Sequence, residues 1–143
     1  MYKVEKTRIS LIRGDSLILH IEIKENGEDY EVQPNDSIKF FLRNSELKKD
    51  KTEYVVDKPL VTKIIDNVEL KLQIDPIDTI KLPFGRYTYE VQLTTEDGIV
   101  DTFISDILDL IPNAAPLMAN GVFTPTENKI VGKLSIFDKE EES

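Results

Sequence analysis

Four stretches of this chain alternate apolar and polar residues with a period of two. That spacing commits them to strands with one buried face and one wet face. Leu17, Leu19, Ile21 and Ile23 alternate with Ile18, His20, Glu22 and Lys24. Ile38, Phe40 and Leu42 alternate with Lys39, Phe41 and Arg43. Val68, Leu70, Leu72 and Ile74 alternate with Glu69, Lys71 and Gln73. Tyr87, Tyr89, Val91 and Leu93 alternate with Arg86, Thr88, Glu90 and Gln92. A length of 143 residues suits one domain with a real core, plus an arm.

Turn residues punctuate the alternation. Arg13-Gly14-Asp15-Ser16 precedes the first strand, and Asn26-Gly27 follows it as a tight hairpin turn, since both residues tolerate positive φ. Pro34-Asn35-Asp36 opens the next strand, and Asp97-Gly98 joins strand 87–95 to strand 99–110. Residues 45–52 are polar and lysine-rich and read as a solvated loop, with short strands at Val55-Val56 and 60–65. Pro59 cannot donate to a ladder, which places this region at a sheet edge. Only residues 75–81 suggest helix, as a single turn capped by Asp75 with Pro76 at its first position. Strands at regular spacing with short turns describe a sandwich or barrel.

The last 32 residues differ, because Pro112, Pro116 and Pro125 interrupt them. Val122-Phe123 and 129–137 read as a small hairpin around Thr126-Glu127-Asn128, and residues 138–143 as an acidic tail without fixed structure. The resulting division is a sandwich over 1–111, an arm or hairpin over 112–137, and the tail.

Composition removes several classes of function. The chain carries 27 acids against 18 bases, a net charge of −9, and no basic stripe interleaved with aromatics. Such a field repels phosphate, so neither nucleic acid nor an anionic membrane surface is expected as a partner. Cysteine is absent, which removes disulfides, thiolate chemistry and cysteine-based zinc sites. The first residues lack the apolar core of a signal peptide, and no apolar run has the length of a membrane-spanning helix. Synthesis in a cytoplasm is the expectation.

The densest information lies in Gly85-Arg86-Tyr87-Thr88-Tyr89-Glu90-Val91-Gln92-Leu93. Gly85 permits a sharp entry into the strand. Tyr87 at the strand start can bury its ring and return its hydroxyl to upstream backbone, the tyrosine corner of immunoglobulin-like sandwiches. Tyr89 then occupies the place of the cysteine in immunoglobulins and fills core volume. The alternative is that both tyrosines are ordinary strand residues. The fold class expected is all-β, an immunoglobulin-like antiparallel sandwich with a C-terminal arm or hairpin.

Several motifs recur in a fixed order. They run from Ile12-Arg13-Gly14-Asp15-Ser16 through Asn26-Gly27 and Asn35-Asp36-Ser37-Ile38-Lys39-Phe40 to Ile77-Asp78-Thr79, the Gly85–Leu93 stretch and Glu96-Asp97-Gly98-Ile99-Val100-Asp101-Thr102. Together they resemble the N-terminal immunoglobulin-like domain of upper baseplate and tail-fibre proteins of phages and prophages of Gram-positive bacteria, over residues 3–111. The resemblance implies a virion structural protein that attaches a fibre or receptor-binding protein to the tail. It implies a homo-oligomer docked to other phage structural proteins, made in the host cytoplasm and built into the particle. It supplies no catalytic residue and no cofactor. Those proteins continue into a linker and further domains, whereas this chain stops at Ser143. A free-standing connector, a capsid or tail decoration protein and a shortened piece all remain open.

Individual candidates are weak beside that pattern. His20 is the only histidine and has no cysteine or motif partner for catalysis or zinc. Arg13-Gly14-Asp15 spells an adhesion tripeptide, but Gly-Asp is also a natural turn before a strand. Asp75 with Asp78, or Asp106 with Asp109, offers paired carboxylates without the oxygen-rich loop that calcium needs. Neither a metal nor an enzymatic activity is expected. Phe41, Tyr54 and Phe103 break the register of their strands and read as outward aromatics. With Val122, Phe123, Ile130 and Ile136 of the arm they form the candidate interface. A sugar platform is the rival use of exposed aromatics, which keeps a carbohydrate-binding or adhesion module as the alternative function.

Overall fold

The alternating stretches form the middles of two facing sheets. The computed structural model describes residues 1–44, 58–119, 122–123 and 128–135. In chain order the strands are β1 (Tyr2–Glu5), β2 (Arg8–Ile12), β3 (Leu17–Glu25), β4 (Glu28–Asp29), β5 (Ser37–Asn44), β6 (Val61–Ile65) and β7 (Lys71–Ile74). A one-turn helix α1 (Pro76–Thr79) follows, then β8 (Gly85–Thr94), β9 (Val100–Ile111), β10 (Met118–Ala119), β11 (Val122–Phe123) and β12 (Lys129–Lys133). The larger sheet has the order β1-β2-β9-β8-β5-β6. In the smaller one β3 is central, with β12 on one side and β7 and β4 along the other.

This is an all-β sandwich, and its pairings can be laid beside those of an immunoglobulin domain. β9, β8 and β5 take the places of strands G, F and C, β6 that of C′, and β3 pairs with β7 as B pairs with E. The sheets are mixed, because β2 runs parallel to β9 and β12 parallel to β3. Both pairings join segments distant in sequence, which tight hairpins cannot do.

Burial follows the alternation closely. Leu17, Leu19, Ile21 and Ile23 of β3 face Phe40, Leu42, Tyr89, Val91 and Leu93 of the larger sheet in one continuous core. The Phe40 and Tyr89 rings stack with centroids 5.4 Å apart. Each such side chain contributes roughly 1.5–3 kcal/mol by leaving water. Asn26 and Gly27 take φ of 52° and 84° in the two-residue turn between β3 and β4, the mirror-image turn that matches strand twist. At α1 the Asp75 amide donates to the Asp78 carboxylate at 2.7 Å, and the Asp78 amide donates to the Asp75 carbonyl at 2.9 Å.

Two expectations need correction. The third alternating stretch begins at Lys71, not Val68. The Asp66 carboxylate accepts the amides of Val68 and Glu69 at 3.0 and 2.8 Å, curling the chain so that Val68 is 87% exposed and Leu70 sits at a φ of 51°. The hairpin expected between 122–123 and 129–137 does not form. β11 pairs with β10, and β12 enters the smaller sheet, where Ile130 and Leu134 gain complete burial. The first twelve residues, within the span expected for the sandwich, form the β1–β2 hairpin on the edge of the larger sheet and bury Val4, Ile9 and Leu11. The expected loop at 45–52, the strand at Val55-Val56 and the tail at 138–143 lie outside the described residues.

Candidate functional site

Chain geometry at the entry to β8 fixes the first group of candidates. Gly85 takes a φ of +142°, a conformation that other residues rarely adopt. Two residues on, Tyr87 turns into the core, 5% exposed, and its hydroxyl donates to the Pro83 carbonyl at 2.6 Å. That bond ties the corner between α1 and β8 to the start of the strand. Burial raises the Tyr87 hydroxyl's pKa. Tyr89 is completely buried and donates its hydroxyl to the Thr7 carbonyl. The Thr7 hydroxyl in turn donates to Asp106. Burial, reinforced by the Asp106 charge, keeps Tyr89 protonated well above its ordinary range.

The second group converges on β12, and here two candidate interface residues prove internal. Ile130 is fully buried, and Phe103 is 7% exposed. The cause at Phe103 is a bulge: Val91 pairs with Ile104 but Gln92 pairs with Thr102, so Phe103 is the extra residue and turns inward beside Ile104. Gly132 lies directly over this bulge. A Cβ on Gly132 would come within 2.5 Å of Phe103 Cδ2 and 2.7 Å of the Phe103 carbonyl oxygen, and closer still to Ile104. Beyond β12, the buried Asp101 carboxylate accepts the Ser135 amide at 2.6 Å and the Ser135 hydroxyl at 2.9 Å. The C-terminal segment is therefore seated by shape at Gly132, by burial at Ile130 and Leu134, and by a carboxylate at Ser135.

The outer face of the larger sheet holds the remaining interface candidate that can be placed. Phe41 is half-buried there, with the Arg43 guanidinium 5.4 Å from its ring centroid. Arg43 also pairs with Glu90 at 3.2 Å. Ile64, opposite Lys39 on the adjacent β6, shares that face and is 79% exposed. Val122 and Phe123 form β11, in register with Ala119 and Met118. Tyr54 and Ile136 lie outside the described residues.

The weaker candidates are occupied by structural work. His20 is exposed on the outer face of β3, between Lys71 and Lys129 in the register. In the adhesion-like tripeptide, Arg13 lies 3.9 Å from the Phe84 ring centroid and donates to the Leu82 carbonyl, while Asp15 pairs with the terminal amine. Asp75 and Asp78 both bind Lys63, at 3.3 and 2.6 Å. Asp106 and Asp109 do not pair. Asp106 faces Tyr89 in the register, while Asp109 receives Arg8 at 2.8 Å and Arg86 at 3.0 Å. Burial opposes ionisation of Asp109, yet the two guanidiniums outweigh it and hold the carboxyl below its usual range. Among the described residues no three histidine or acidic side chains gather as metal ligands.

A cleft of about 520 Å³ opens at one end of the sandwich, between residues 30–36 and the turn at 95–97. Glu25, Glu31, Asp36, Glu96 and Asp97 line it together with Tyr30 and Gln33. The loop is firmly held: Asp36 accepts the Tyr30 hydroxyl at 2.7 Å and the Gln33 amide at 2.8 Å, and the Asn67 amide bridges three carbonyls of the same loop. Burial first, then the bond to Asp36, raises the Tyr30 pKa.

Sequence reasoning missed Asp101, Gly132, Leu134 and Ser135. Gly132 alone left a signal, since a glycine inside a strand marks a close approach of another backbone. No protein-family model, curated protein or solved structure matches the chain.

Proposed function

We propose that this chain is a structural protein of a bacteriophage particle, a connector of the baseplate or tail that works by protein–protein assembly as a homo-oligomer. The observation that carries this reading is the edge of β3, which takes up a strand from the far end of the chain. Strand addition to a sheet edge is a recurrent way for sandwich domains to join neighbours, with the main chain giving affinity and alternate side chains giving selectivity. The motif order that resembles phage baseplate domains supports the same reading. On this proposal the protein is made in the host cytoplasm and becomes part of the virion.

The test is the mass of the purified chain by light scattering over a wide concentration range, beside a Phe41→Glu/Ile64→Glu variant. A defined oligomer supports the reading, and its loss or survival in the variant tells whether the outer face or the β3 edge holds the copies together. A monomer at every concentration that also fails to bind purified tail proteins refutes it. A carbohydrate-binding module is the second reading, favoured by the polar cleft between residues 30–36 and 95–97. Saturable binding to one sugar class on a glycan array, lost on Gln33→Ala, decides for it.

A further inference from the structure

In immunoglobulin-like sandwiches the place beside strand B belongs to strand A. Here both N-terminal strands belong to the larger sheet, and the corresponding edge of β3 is covered by β12 from the other end of the chain. The contacts that seat β12 are made to β3 and β9. Asn128 accepts the His20 amide at 2.9 Å and Leu134 donates to Lys24 at 2.9 Å. Ile130 and Leu134 fill the core, Gly132 rests on Phe103, and Ser135 binds Asp101. β10 and β11, which lie between β9 and β12, pair with each other.

The roughly 16 residues between Ile111 and Asn128 reach on the order of 50 Å when extended. Facing sheets are only about 10 Å apart. A strand on that length of chain reaches the same groove in an adjacent copy as well as its own. Exchange preserves the contacts that β12 makes to β3 and β9, because the two grooves are identical.

We propose that the β3 edge is a strand-accepting groove and that the chain assembles by exchanging β12 with a second copy of itself. This rests on the assembly reading above and supplies its partner and mode. Reciprocal exchange closes a dimer, and one-way exchange builds an open series. Concentration selects between the self-filled and the exchanged form.

The chain has no cysteine, so disulfide trapping reads the exchange directly. Glu22 and Val131 are direct partners in the parallel register, on neighbouring strands whose spacing of about 4.8 Å suits a disulfide. A Glu22→Cys chain and a Val131→Cys chain are co-refolded at high concentration and oxidised. Thr102→Cys, exposed on the other sheet, replaces Glu22→Cys as the control for random pairing. The expected result is a disulfide heterodimer of the first pair in several-fold excess over the control pair. Absence of that excess overturns exchange when the Glu22→Cys/Val131→Cys double variant closes its disulfide within one chain at all concentrations. If the unmodified chain is then still an oligomer by light scattering, assembly stands and exchange falls. If it is a monomer, both fall.

Discussion

Gly132→Ala tests whether β12 belongs to the sandwich. The added methyl would stand 2.5 Å from Phe103 Cδ2 and 2.7 Å from the Phe103 carbonyl oxygen, where carbon contacts normally settle at roughly 3.5–4.0 Å. A side chain can rotate away, but the carbonyl belongs to β9 at its bulge and is fixed by the pairing on both sides. The strand must therefore lift. Overpacking of this kind costs roughly 1–3 kcal/mol. Against it stands the burial of Ile130 and Leu134, together worth about 3–6 kcal/mol as an upper estimate. The variant should fold, but with a loosened β12. Its Tm should fall by about 3–15 °C, taking roughly 3–5 °C per kcal/mol for a chain of this size. Hydrogen exchange at the amides of His20 and Leu134, which bond Asn128 and Lys24 across the β3–β12 pair, should quicken by about 10–100-fold. Val131→Ala, on the outer face, is the control and should leave both nearly unchanged. An unchanged Tm and unchanged exchange in Gly132→Ala would show that β12 does not rest on Phe103, and the placement of the C-terminal strand would be wrong.

Three further outcomes follow from the same geometry. Tyr87→Phe removes the bond to Pro83 and should cost about 0.5–1.5 kcal/mol in urea unfolding, with the midpoint but not the slope reduced; an unchanged midpoint contradicts the corner. Asp101→Ala leaves the Ser135 amide without its acceptor and should cost about 1–3 kcal/mol, with the amide of Ser135 exchanging faster; equal protection in both proteins rules this anchor out. Asp109 is held below the ordinary carboxylate range, so its contribution is complete above about pH 4 and is lost as pH falls through its lowered folded value. Urea midpoints of wild type and Asp109→Asn should therefore differ at neutral pH and converge towards about pH 2, whereas a constant difference would mean that the pairs with Arg8 and Arg86 are not what Asp109 contributes.

What the sequence revealed and what it hid divide along the range of the interactions. β3, β5 and β8 are long enough for a period of two to stand out, and their turns use residues chosen by backbone conformation, such as Asn26-Gly27 and Asp97-Gly98. α1 was legible because Asp75-Pro76 is a local start signal. β1 and β2 are too short for periodicity, and their turn places Lys6 at a φ of 59° without a glycine to mark it. Phe103 looked like an outward residue because a bulge shifts register without any sequence mark of its own. β12 was recognisable as a strand but was given the wrong partner, because sequence favours the nearest strand while the pairing is parallel and non-local. The carboxylate at Asp101 was hidden for the same reason, since its partner Ser135 comes from the far end of the chain.

The edges and faces of the sandwich also bear on how copies can meet. β6, at one edge of the larger sheet, is entered past Pro59 and turns Lys63 inward to Asp75 and Asp78. A proline and an inward charge are devices that stop one sheet edge from pairing with another. β1 at the other edge carries Lys3 and Glu5, and β12 carries Lys129 and Lys133. Charges on edges discourage the same event. The outer face beside β6 brings Phe41 and the 79%-exposed Ile64 together among the charged Lys39, Arg43 and Glu90. Simple edge-to-edge addition is thus opposed on three sides. Two routes to assembly do not depend on these three edges being free: contact through the face bearing Phe41 and Ile64, and replacement of an edge strand already in place. The first depends on two apolar side chains, and the second on a main-chain ladder with buried Ile130 and Leu134. Phe41→Glu/Ile64→Glu should therefore weaken the first route alone, and the disulfide between positions 22 and 131 should report the second alone.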